Sequence, residues 1–241
     1  MRTQASATVW TFLRLAMGLV IVAAVITQLS ASIATTIELE RDLGTVIANF
    51  FSFFTILSNV LAAAVLLWAA ATGLRDRSPG RVDRMPLATS LACVSTYMII
   101  TGIVYNALLR GIVLEQGSQP VPWSNEVLHL IGPLFLLADV LLGPARRALP
   151  WRTLVTILIF PLVWTAYTLV RGPFVTNPIT GDLSWYPYPF LNPNGPGGWP
   201  SVVVYVVIIA ASFVAVGTFA VWMGRRRAAG HGAGGADSLR A

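Results

Sequence analysis

The chain has 241 residues, of which 56% are hydrophobic and only 11% are charged, and its mean hydropathy is +0.72. Soluble domains carry roughly 25% charged residues, so this composition excludes an ordinary soluble protein and indicates a membrane protein. The net charge of +6 comes from arginines at the ends of apolar runs, which argues against nucleic-acid binding and for a chain oriented in a membrane.

Six apolar runs are long enough to cross a bilayer, which takes about 20 residues of helix. In chain order they are residues 11–36, 46–71, 85–113, 125–142, 151–170 and 200–223. We therefore predict an all-α, polytopic membrane protein with a six-helix transmembrane domain over residues 1–225. Residues 226–241 end in a segment rich in glycine and alanine, which predicts a disordered cytoplasmic tail.

The first run allows two interpretations. Arg2 and Arg14 precede its apolar core, and the small residues at 32–34 resemble a signal-peptide cleavage site. We expect a retained helix, because the apolar stretch exceeds the usual signal-peptide core of about 7–15 residues.

Arginine placement predicts the orientation of the chain. Thirteen of the sixteen arginines lie in the segments that share a side with both termini, and only Arg41, Arg110 and Arg171 lie on the other side. Both termini are therefore predicted to be cytoplasmic, and the loops after the first, third and fifth helices face outward.

Polar residues form a stripe along the second run. Asn49, Ser52, Thr55 and Asn59 recur at spacings of three and four, which places them on one face of a helix. If the run is one helix that enters from outside, Thr55 lies roughly 12 Å below its start. A membrane threonine commonly donates to its own carbonyl four residues back, and this is the structural alternative to a catalytic role.

The third and fourth runs place polar groups at a similar depth. Tyr105 and Asn106 lie near the outer end of the third run, and Asn125 and His129 near the outer start of the fourth. His129 is either an interhelical hydrogen-bonding residue or a functional one. We take Ser52, Asn59, Tyr105, Asn106 and Asn125 as candidates for substrate contact, with interhelical packing as the alternative.

Asp139 lies about 15 Å deeper than His129, so the two are not expected to touch. We expect Asp139 to pair with an arginine near the inner face, such as Arg14, Arg84 or Arg146. The other histidine, His231, lies in the tail, which argues against a bis-histidine haem or a histidine-rich di-iron site. No metal or other cofactor is predicted.

Three short motifs suggest a family. "FFTILSN" in the second run, "NEVLH" in the fourth and "YPYPFLNP" before the last run occur together. The set resembles the androgen-induced-protein family of six-helix membrane proteins, and especially its bacterial branch. This resemblance implies a hydrolase of fatty acid esters of hydroxy fatty acids, in a bacterial inner or plasma membrane, with Thr55 and His129 as catalytic residues.

A threonine nucleophile needs a base, and His129 is the one imidazole in the membrane region. The amides of Asn59 or Asn106 are candidates for stabilising the oxyanion. The expected partner is a lipid ester from the bilayer. The alternative function is non-enzymatic binding or transport of a lipid or lipophilic small molecule.

The last loop, residues 184–200, also has two interpretations. Its tryptophans and tyrosines are typical of an aromatic belt at the membrane surface. Its prolines also suit a stiff lid over the outer mouth of the bundle.

Overall fold

The computed structural model describes residues 4–78, 81–112 and 117–237. Every regular element within them is helical. Six helical spans there are long and apolar enough to cross a membrane: Ser6–Glu38, Phe54–Arg75, Met85–Leu109, Pro122–Leu142, Thr153–Phe174 and Gly198–Arg227. The predicted all-α, six-span architecture is thus confirmed, and the predicted end of the third run at residue 113 lies outside the described residues.

The spans are built from α-helices and two π-helical turns. The α-helices are α1 (Gln4–Glu38), α2 (Leu43–Phe50), α3 (Phe54–Arg75), α4 (Met85–Val104), α5 (Pro122–Glu126), α6 (Gly132–Leu142), α7 (Thr153–Arg171) and α8 (Gly198–Asp237). The π-helical turn Tyr105–Leu109 extends α4, and the turn Val127–Ile131 joins α5 to α6. We call the end of the bundle where α3 begins the Thr55 end, and the opposite end the Asp139 end.

α4 is the central helix of the bundle. In its most apolar window 78% of the residues are buried, against 17% for α8, which lies at the periphery. α4 packs against α3, α6 and α8. Around its middle lies a cluster of aromatic rings in edge-on and tilted contacts, formed by Phe54, Tyr97, Phe160, Trp164 and Phe213. This cluster fixes the start of α3 against α4, α7 and α8.

The prediction of one continuous helix over residues 46–71 is wrong at its start. α2 begins at its cap Asp42, whose carboxylate accepts from the Thr45 N–H at 2.7 Å, and it ends at Phe50. Trp164 Nε1 donates to the Ser52 carbonyl at 2.9 Å, which satisfies a backbone group that the break leaves without a helical partner. Thr55 therefore lies in the first turn of α3 and not deep within a helix, and Ser52 lies outside that helix.

The expected pairing of Asp139 is confirmed for two of the three arginines. Arg14 Nε donates to its carboxylate at 2.8 Å and Arg146 Nη2 at 2.6 Å, and Trp10 Nε1 donates to the same group. Arg84 is exposed. Because Asp139 and Arg14 are both buried, their ion pair ties α1 to α6 at the Asp139 end.

α8 continues as a helix to Asp237, past residue 226 where the disordered tail is predicted to begin. Arg225 and Arg227 donate to backbone carbonyls at the Asp139 end, Arg225 to that of Leu149 at 3.0 Å. Residues 238–241 of the predicted tail lie outside the described residues.

Candidate functional site

A pocket of about 530 Å³, counting the part that is open to the outside, lies at the Thr55 end of the bundle. Its polar lining consists of Gln28, Thr55, Tyr105, Asn125, His129 and Tyr188. The remaining wall is apolar, so the pocket suits a ligand with a hydrocarbon part and one polar group.

Thr55 differs from other threonines of the spans in its hydrogen bonds. Its Oγ1 lies 3.3 Å from the hydroxyl of Tyr188, and its backbone N–H donates to the same hydroxyl at 3.2 Å. Five other threonines donate to the carbonyl four residues earlier: Thr11, Thr36, Thr72, Thr96 and Thr165. Thr55 lies in the first turn of α3, where a helix offers no such carbonyl, so its hydroxyl remains available to the pocket.

The ring of His129 is held in one orientation. Nδ1 lies 3.0 Å from the carbonyl oxygen of Asn125, and because a carbonyl can only accept, Nδ1 carries the hydrogen of this bond. The neutral ring then has its lone pair on Nε2, the form that can accept a proton. Tyr105 stacks on the ring at 3.7 Å between centroids, and its hydroxyl accepts from Asn125 Nδ2 at 2.8 Å.

The π-helical turn that carries His129 follows from Pro133. The N–H of Gly132 donates to the carbonyl of Val127, and Pro133 has no N–H to donate. The carbonyls of Leu128 and His129 therefore lose the donors that a regular α-helix provides. The amides of two asparagines on neighbouring helices replace them, from Asn59 to Leu128 at 3.1 Å and from Asn106 to His129 at 3.0 Å. π-helical turns of this kind occur frequently at functional sites.

These bonds use both amide hydrogens of each asparagine. Asn59 Nδ2 also donates to the Thr55 carbonyl at 2.9 Å, and Asn106 Nδ2 to the Gly102 carbonyl at 2.8 Å. A side-chain amide has two N–H donors, so neither residue has one left for an oxyanion. In this structure both asparagines hold the backbone around His129, and neither lines the pocket.

Of the other residues predicted from the sequence, some line the pocket and some lie outside it. Tyr105 and Asn125 line the pocket together with Thr55 and His129. Ser52 does not, since its hydroxyl lies 2.7 Å from the Ala48 carbonyl and 2.9 Å from the Tyr167 hydroxyl. Among the described residues, the hydrogen bonds of Thr55 Oγ1 and of the His129 ring go to Tyr188 and Asn125, not to each other.

Two polar pocket residues, Tyr188 and Gln28, are not among those predicted from the sequence. Tyr188 belongs to the "YPYPFLNP" motif, so the motif itself was the signal for it. Gln28 is an isolated amide in an apolar helix, and its Oε1 accepts from the Val121 N–H at 2.9 Å and from the Ser124 hydroxyl. It thereby holds the loop before α5 against α1. Within the part of the chain that the structure describes, no group of His, Cys, Asp and Glu side chains could hold a metal ion.

An Asn59→Ala variant tests the role of the asparagines around His129. It would leave the buried Leu128 carbonyl without a donor, so we expect the free energy of unfolding to fall by about 1–3 kcal/mol. Thermal unfolding in detergent micelles measures the loss. Asn194→Ala is the matched control, because it removes an exposed amide bond to Ser184 and should change stability by less than about 0.5 kcal/mol. Equal unfolding temperatures for the two variants would contradict the assignment.

Comparison with protein-family models, with curated proteins and with solved structures gives no match for this chain. The chain is therefore classified by its architecture alone. It is a multi-pass, all-helical membrane protein with six apolar spans in its described residues.

Proposed function

We propose that this protein is an intramembrane hydrolase of lipid esters in which Thr55 is the nucleophile and His129 is the base. The observation that carries the proposal is that both side chains line the same pocket. The Asn125 carbonyl adds support, because it orients His129 as the third member of a catalytic triad orients its base.

The proposed reaction has two steps. Thr55 Oγ bonds to the ester carbonyl carbon while its proton passes to His129 Nε2, and the tetrahedral intermediate then releases the alcohol, which takes the proton from His129. Water next attacks the acyl-threonine, with His129 again accepting and returning a proton, and the carboxylic acid leaves. In the structure the Thr55 hydroxyl is hydrogen-bonded to Tyr188. The first step therefore requires that this hydroxyl turn toward His129 or reach it through one water.

The proposed substrate is a long-chain ester of the fatty acid–hydroxy fatty acid type. The apolar wall of the pocket, which includes Phe53, Ile56, Leu109 and Leu128, suits an acyl chain, and the resemblance of the three motifs points to the same class. The arginine asymmetry supports cytoplasmic termini, which would place the pocket near the outer face of a bacterial cell membrane. The ester would then enter from the outer leaflet.

Labelling with an alkyl fluorophosphonate tests the proposal on the full chain in native membranes. This probe bonds covalently to activated hydroxyl nucleophiles, so we expect an adduct on the peptide that contains Thr55, identified by mass spectrometry. The adduct should disappear in Thr55→Ala and form at least about tenfold more slowly in His129→Ala. Labelling that persists in Thr55→Ala would contradict the assignment of Thr55 as the nucleophile.

One observation favours a second function. Thr55 Oγ1 is bonded to Tyr188 and not to His129, as expected if the pocket binds a lipid or lipophilic molecule without reacting with it. A carrier or sensor of this kind would bind a fluorescent fatty acid saturably and give no fluorophosphonate adduct in folded protein. The hydrolase requires the adduct.

A further inference from the structure

We propose that Tyr188 is a further catalytic residue, whose hydroxyl donates the hydrogen bond that stabilises the oxyanion formed when Thr55 attacks an ester. This inference rests on the proposed hydrolase. It assigns the oxyanion donor to a residue of the last loop instead of to the asparagines of the helices.

The position of the Tyr188 hydroxyl carries the argument. It lies 3.3 Å from Thr55 Oγ1, and Tyr188 lines the pocket. In the tetrahedral intermediate the oxyanion and Thr55 Oγ are bonded to the same carbon, so a donor beside one oxygen lies within reach of the other. The Thr55 N–H donates to the oxygen of the Tyr188 hydroxyl at 3.2 Å, and that bond does not use the hydrogen of the hydroxyl.

The other candidate donors near Thr55 are already engaged. The amides of Asn59 and Asn106 have both hydrogens on backbone carbonyls. The amide of Asn125 donates one hydrogen to the Tyr105 hydroxyl at 2.8 Å, and the side-chain hydrogen bond that the described residues show at Thr55 Oγ1 comes from Tyr188 and not from Asn125. Tyr188 is therefore the pocket side chain placed to donate beside the nucleophile.

The packing of its ring holds the Tyr188 hydroxyl in place. The ring contacts Phe53 edge-on at 5.6 Å, stacks on Phe190 at 5.2 Å and lies 5.9 Å from Trp164, all between centroids. With only 5% of Tyr188 exposed, the hydroxyl needs little reorganisation when charge develops on the oxyanion.

The protonation state of Tyr188 agrees with this role. Burial raises the pKa of its hydroxyl above the ordinary value, so the group stays protonated at neutral pH. A protonated phenol donates a hydrogen bond and is a poor proton acceptor. The base therefore remains His129.

Tyr188→Phe removes the hydroxyl and keeps the ring packing. With p-nitrophenyl decanoate as substrate for the purified full chain in lipid nanodiscs, we expect kcat to fall by about 10²–10³-fold, as on removal of one oxyanion donor. KM should stay within about threefold, because the bond strengthens only in the transition state. Tyr186→Phe is the matched control in the same loop, since Tyr186 does not line the pocket, and it should keep wild-type kcat.

Inhibition by an alkyl boronic acid distinguishes an oxyanion-donor role of Tyr188 from a purely structural one. Its boron becomes tetrahedral and anionic on a hydroxyl nucleophile, so its affinity for Tyr188→Phe should fall in parallel with kcat/KM. If Tyr188→Phe has the wild-type kcat, or an unchanged inhibition constant for the boronic acid, Tyr188 is not the oxyanion donor. That result would not affect the proposed hydrolase activity. Absence of Thr55-dependent hydrolysis in the wild type would overturn the hydrolase, and this inference with it.

Discussion

A Thr55→Ala variant is expected to lose at least about 10³-fold in kcat for p-nitrophenyl decanoate, because no acyl-enzyme can form without the hydroxyl. Residual turnover would come from direct attack by water, helped by the Tyr188 hydroxyl. Steady-state hydrolysis by the purified chain in nanodiscs measures the loss. The fold should persist, because among the described residues Thr55 Oγ1 forms its hydrogen bond with Tyr188 alone.

Two variants serve as controls for this loss. Thr55→Ser restores a hydroxyl at the same position and should recover hydrolysis to within about tenfold of the wild type. Thr168→Ala makes the same truncation at a buried threonine of α7 whose hydroxyl has no hydrogen-bond partner in the part of the chain that the structure describes, and it should leave kcat unchanged. Full activity in Thr55→Ala would remove Thr55 as the nucleophile.

An Asp139→Ala variant is expected to lose about 3–5 kcal/mol in the free energy of unfolding. The carboxylate accepts from Arg14, Arg146 and Trp10, so its removal leaves the buried guanidinium of Arg14 and the partly buried one of Arg146 without their counter-ion. Chemical unfolding with SDS in mixed micelles measures the change.

Asp83→Ala is the matched control for that loss. Asp83 is also buried at the Asp139 end, but within the described residues its carboxylate accepts no hydrogen bond, and its ion pair with Arg81 is longer, at 3.3 Å. Burial raises the pKa of the Asp83 carboxyl. We expect its loss to cost less than about 1 kcal/mol, and equal losses for the two variants would contradict the role given to Asp139.

The spans and the pairing of Asp139 with arginine could be predicted from the sequence, because each follows from a large contribution to the free energy of the folded chain in a membrane. Apolar length defines a span, and a buried carboxylate requires a cation nearby. The break between α2 and α3 has no such signal, since "NFFSFFT" contains neither proline nor glycine. Tertiary contacts stabilise the break instead. Trp164 Nε1 donates a hydrogen bond to the Ser52 carbonyl, and Phe53 packs against Trp185 and Tyr188.

The site was predictable in part. The alternation of the spans predicted that Thr55 and His129 lie toward one end of the bundle, and both line the same pocket there. The bonds of Asn59 and Asn106 could not be read from the sequence, because they depend on carbonyls that Pro133 leaves free on a different helix. Tyr188 reaches Thr55 from 133 residues away in the chain, which no local pattern encodes.

The pair of Arg14 with Asp139 also bears on how the chain is made. The two residues are 125 positions apart, so at about 5–20 residues per second Arg14 leaves the ribosome roughly 6–25 s before its partner. Through that interval the nascent α1 must keep its guanidinium near the lipid headgroups by extending the side chain along the helix. The first helix can take its final depth only once the fourth span has been delivered to the translocon.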